Sequence, residues 1–171
     1  MRDTVDHAAE RIHSKLKSGG STDDVMCRYE SPLSEHPNRR SDILSQGAYS
    51  WAWLNEYEKA IADLHDVVSA QAGPRLAASL SHLSGLLLGL GRLSEAERVL
   101  SRLVAVEDAE GSTYFAEYAH LTRAFCLARL GKSSQALEEL RFVPEGASVD
   151  WLEGTPVINC VLVRKIAAIG D

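Results

Sequence analysis

The chain has 171 residues, 45% of them hydrophobic, and 18 Lys and Arg against 24 Asp and Glu, a formal net charge of −6. That length and apolar content can bury one continuous core, so a single domain is the expected organisation. The acidic balance disfavours an electrostatic grip on a phosphate backbone, so no nucleic-acid partner is expected, because Arg39-Arg40 and Arg164-Lys165 are the densest basic clusters and both are small.

From the amino end, Val5, Ala9, Ile12 and Leu16 recur at three- and four-residue steps between Arg2 and Lys17, an apolar stripe on a helix stopped by Gly19-Gly20. Ser21-Thr22-Asp23-Asp24 then reads as a cap with first-turn acids. It opens a second short helix through Val25, Met26 and Tyr29 that ends before Pro32. Ser31 to Ser41, with Pro32, Pro37 and Asn38, reads as a loop, so residues 1–40 form an N-terminal helical segment.

Three helix pairs are expected next, over residues 41–74, 75–110 and 113–150. A seven-residue pattern recurs as Leu54-Asn55-Glu56-Tyr57-Glu58-Lys59-Ala60, Leu90-Gly91-Arg92-Leu93-Ser94-Glu95-Ala96 and Leu130-Gly131-Lys132-Ser133-Ser134-Gln135-Ala136, at spacings of 36 and 40 residues. Around the helix breakers Asn55, Gly91 and Gly131, residue types fall in columns. Four residues earlier stand Trp51, Leu87 and Leu127, and seven earlier Ala48, Ser84 and Ala124. Five residues later stand Ala60, Ala96 and Ala136, then Leu64, Leu100 and Leu140, then Val67, Leu103 and Val143. Small columns let antiparallel helices approach, and large ones fill the space around the crossing. Glycine or asparagine takes the left-handed conformation that ends a helix, and Ser94 and Ser133 offer caps for the helix that follows. Pro74 suits a first helical turn, and Pro144 ends a helix. The carboxyl segment, residues 155–170, places Val157, Ile158, Val161, Leu162, Ile166 and Ile169 on a closing helix.

These columns resemble tetratricopeptide (TPR) repeats over most of the chain. The resemblance implies an all-α fold, a right-handed superhelical stack of about three helix hairpins with two N-terminal helices and a C-terminal capping helix. The chain departs from the family in its longer spacings. It departs also in Arg123, which stands in an apolar column, and in His120, which stands where the other pairs have Leu44 and Leu80.

Catalytic and metal chemistry find no foothold in the spacing. Gly85 to Gly91 lies inside an apolar helical pattern and not between a strand and a helix, as a phosphate loop requires. Asp63-Leu64-His65-Asp66 has no second histidine one turn away, and the other histidines lack ligand spacing. No catalytic residue, metal or cofactor is expected. Three cysteines, Cys27, Cys126 and Cys160, give an odd count without close pairs, so free thiols are expected. The amino end lacks an apolar leader and the longest apolar run, Leu86 to Leu90, is too short for a bilayer, so a cytoplasmic protein without membrane contact is expected.

Binding is the expected activity. In TPR proteins the first helix of each pair lines a concave groove. By position this implies Ser45, Tyr49 and Trp53, then Ser81, Gly85 and Leu88, then Tyr118, Leu121, Phe125 and Arg129, with Arg164 on the last helix. Tyr49, Trp53, Tyr118, Phe125, Arg129 and Arg164 are the expected protein-binding residues, because aromatic and guanidinium side chains dominate interfaces. Trp151, in the acidic turn-rich stretch 144–154, is a further candidate anchor. The acidic balance and compact size resemble a bacterial immunity protein that covers a basic toxin domain. A secretion chaperone holding an extended segment of a secreted substrate is the alternative, and a small-molecule sensor or enzyme is the third.

Overall fold

The computed structural model describes residues 33–34, 37–149 and 157–169. The expected helices within 2–17 and 25–29, together with Cys27, Trp151 and Leu152, lie outside the described residues. The described fold is all-α apart from one pair of two-residue strands. It falls into two compact units, Met1–Gln71 and Ala72–Asp171.

In the first unit a short 3-10 turn, Pro37–Arg39, runs directly into α1, Arg40–Trp53, so the loop expected as far as Ser41 is shorter than the prolines suggested. Helix α1 packs against α2, Tyr57–Ala70. Asn55 joins them with φ 62°, and the Glu56 amide donates to the Trp51 carbonyl at 2.9 Å, closing the α1 end. The crossing residues Ala48 and Ala60 are fully buried, flanked by Ile61, Leu64 and Val67. Trp51 is buried too. Its indole donates to Asp63 Oδ2 at 3.1 Å, and Lys59 Nζ sits 4.9 Å from the ring centroid. Burial pushes the Asp63 carboxyl up from its ordinary value, against the pull of that indole hydrogen bond.

The second unit holds α3, Gly73–Gly89, α4, Leu93–Glu110, α5, Ala116–Arg129, α6, Ser133–Glu139, and α7, Cys160–Ala167. Pro74 lies in the first turn of α3, as its fixed φ favours. Successive helices pack on one another, and α7 lies against both α5 and α6. The turns at Gly91 and Gly131 repeat the Asn55 geometry. Their φ values are 71° and 74°, and the amides of Arg92 and Lys132 donate to the carbonyls of Leu87 and Leu127 at 2.9 Å. Small crossing residues Ser84, Ala96, Ala124 and Ala136 are fully buried, with Leu87, Leu100, Leu103 and Leu127 around them at 1% exposure or less. Each such leucine contributes about 1.5–3 kcal/mol by leaving water.

Between α4 and α5 the chain turns at Gly111, φ 61°. Here Glu107, 3% exposed, does the capping. Its carboxylate accepts the Phe115 amide at 2.8 Å and the Ser112 hydroxyl at 3.1 Å, satisfying donors at the start of α5.

Two expectations need correction. Neither Ser94 nor Ser133 caps a helix: α4 and α6 begin at Leu93 and Ser133, and the capping positions fall to Arg92 and Lys132, without a side-chain cap. The tight turn starts each helix one or two residues early. Ser94 is exposed, whereas Ser133 is buried and donates to the Ala167 carbonyl at 2.9 Å, tying α6 to α7. The closing helix is also shorter than the apolar spacing implied. Val157 lies outside it, Ile158–Asn159 pair antiparallel with Ser148–Val149, and α7 starts at Cys160. Asn159 sets that start, because its side chain accepts the Leu162 amide at 2.9 Å. After α6 the chain tightens into a 3-10 turn, Leu140–Phe142, and Val143 becomes extended ahead of Pro144.

Candidate protein-binding surfaces

In the first unit, Tyr49 and Trp53 stand one turn apart on α1 and are 51% and 55% exposed. Ser45, one turn earlier, is half-buried. The apolar face of α1 is occupied by Ile43, Leu44, Ala48 and Trp51, so the register puts the aromatic pair on the other side of the helix.

In the second unit the expected set divides. Leu88 and Leu121 are buried core residues. Phe125 is partly buried and packs on the cluster of Leu121, Ala124, Leu127, Ile158 and Val163. Tyr118 is drawn inward: its hydroxyl lies 3.0 Å from Ser84 Oγ and 3.3 Å from the Ser81 carbonyl, which also accepts Ser84 Oγ at 2.8 Å. Burial raises the Tyr118 phenol above its ordinary value, so the group remains a neutral tie between α5 and α3. Arg129 is exposed in the last turn of α5, where a cation complements the helix dipole. Arg164 is exposed but engaged, its guanidinium donating to both oxygens of Glu145 at 2.6 and 2.9 Å. That pair holds the Glu145 carboxyl below its ordinary value. Of the expected set, Tyr49, Trp53, Arg129 and Arg164 are the members exposed to solvent.

A polar cluster on α5 went unassigned in the sequence. Arg123 donates to Glu139 Oε1 at 2.6 Å and to Glu97 Oε1 at 3.2 Å, so one guanidinium joins α4, α5 and α6. Glu139 Oε2 lies 2.8 Å from His120 Nδ1, and Ser101 donates to Glu97 at 3.0 Å. The His120 ring stacks on Phe142, with centroids 4.8 Å apart and planes 22° from parallel. The signal was present. His120 and Arg123 take the places that Leu44 and Gly47 hold in α1 and Leu80 and Leu83 hold in α3, all of them buried. A histidine and an arginine in those columns demand acids on the neighbouring helices, and Glu97 and Glu139 supply them.

Two further titratable groups are shifted by burial, His82 down to about 4 and the Cys126 thiol up to about 12. The latter is the pattern of an inert buried thiol. Among the described residues, no group of three His, Cys, Asp or Glu side chains is placed to hold a metal ion, and no helix is long and apolar enough to cross a membrane. Comparison with protein-family models, curated proteins and solved structures returns no match.

Proposed function

We propose that this chain is a non-enzymatic, TPR-like binding protein of the cytoplasm that neutralises a folded basic partner, in the manner of an immunity protein covering a toxin domain. One observation carries the reading. Three hairpins repeat the same turn and the same buried crossing, while the excess of charge on the chain is acidic. Hairpin arrays of this kind usually work by surface display, and an acidic balance complements a basic partner and steers its approach. The reading is tested by association kinetics with a folded basic protein recovered from the native organism. Nanomolar affinity, association that slows as salt rises, and loss of binding when exposed Asp108, Glu110 and Glu117 are reversed to lysine support it. Salt-insensitive binding counts against it.

The exposed Tyr49 and Trp53 favour a second reading, a chaperone that holds an extended segment of a secreted protein against these rings. It requires that Tyr49→Ala and Trp53→Ala weaken binding of an unfolded peptide while acidic reversals leave it unchanged. Unaltered peptide affinity in both variants removes it.

A further inference from the structure

We propose that Phe142, backed by His120 and Glu139, is the seat for an arginine or lysine side chain of the basic partner, an assignment that deepens the reading above and rests on it. Phe142 is 62% exposed, yet it is not a loose surface ring. One face lies on the His120 imidazole, His120 is held through Nδ1 by Glu139, Glu139 by Arg123, and Arg123 by Glu97. An exposed aromatic fixed by such a chain has already lost much of its rotamer freedom, so binding to it costs less ordering than usual.

The charge behind the ring selects the occupant. Glu97 and Glu139 contribute two carboxylates and Arg123 one guanidinium, so these three charges sum to −1. Arg141, beside Phe142 in sequence, is matched by Glu138, whose oxygens accept from its Nη1 at 3.0 and 3.2 Å. A cation over the outward part of the ring meets both the negative face of the aromatic and the residual carboxylate charge. An anion meets repulsion, and a neutral apolar side chain gains one ring without the charge.

The test uses hexa-arginine as the probe, titrated into the full-length protein at low salt and followed by NMR, with hexa-glutamate as control. The Phe142 ring and His120 signals are expected to shift with hexa-arginine and not with hexa-glutamate. Phe142→Leu, a substitution at an exposed position, is expected to keep the fold and weaken hexa-arginine binding roughly two- to fivefold, the range of one exposed cation–aromatic contact. Unchanged Phe142 signals at saturation, or equal affinity in Phe142→Leu, overturns the seat. If shifts then map to other acidic residues, the basic-partner reading stands without it. If the wild-type chain does not bind hexa-arginine at all, both fall.

Discussion

A buried serine hydroxyl and an exposed one differ only in their surroundings, and the difference fixes what each contributes. Ser133→Ala removes the donor to the Ala167 carbonyl and leaves a buried acceptor, so a loss of about 1–3 kcal/mol is expected in urea melts. Ser94→Ala touches an exposed position without a capping role and is expected to change stability by less than about 0.5 kcal/mol. His82 makes the corresponding argument in pH. Its folded pKa is depressed, near 4 against an ordinary 6.5, so the stabilisation of the neutral ring is complete above pH 6.5. As pH falls towards 4 the unfolded chain takes up a proton that the folded site refuses, and up to about 3 kcal/mol is lost. Melts from pH 7 to 4.5 are expected to show a shallower decline for His82→Gln than for the wild type. Parallel curves would mean that the ring is more hydrated than its burial implies.

At the scale of helices, stability rests on close crossings and on one ionic join. Ala96 is fully buried where α3 meets α4, so Ala96→Leu is expected to cost about 1–3 kcal/mol by overpacking, seen as a lower denaturation midpoint. Arg123 binds carboxylates on both neighbouring helices, and Glu139 and Glu97 have side chains only 13% and 15% exposed. Arg123→Leu removes the cation from both acids and leaves Glu97 with Ser101 and Glu139 with His120, so a loss of about 2–4 kcal/mol is expected, towards the lower part of the range for a buried pair because some water reaches the site. Arg123→Lys is expected to recover only part of that loss, since an ammonium cannot match the two-sided reach of a guanidinium. The same join fixes His120 and through it Phe142, so these substitutions are also expected to broaden the Phe142 ring signals.

For the molecule as a whole, charge and repetition are the governing properties. A net charge of −6 acts over a Debye length of about 8 Å at physiological salt, so the capture of a basic partner proposed above is expected to slow roughly tenfold or more between low and physiological ionic strength. The all-α class, the three hairpins and every small and large column were legible in the sequence, because helix packing writes itself as period and residue size. All fifteen residues of the five columns, Trp51 to Val143, are indeed buried. The starts of α4 and α6 were not legible. A serine two or three residues beyond a turn looks like a cap until the hydrogen bonds of the turn show that the helix has already begun. The late start of α7 was hidden for a similar reason, because Val157 and Ile158 continue an apolar rhythm that Asn159 interrupts.

For the proposed binding residues, the sequence located the helices and the aromatic content, and it flagged His120 and Arg123 as misfits. Tertiary structure decided the rest, turning Tyr118 inward onto Ser84 and Ser81, engaging Arg164 with Glu145, and leaving Tyr49, Trp53 and Phe142 each about half exposed, Phe142 with His120 stacked on it. Periodicity reports which side of a helix is apolar, a local property. Whether a polar or aromatic group on the other side meets a partner depends on what a distant segment brings to it, and only the packed chain contains that distance.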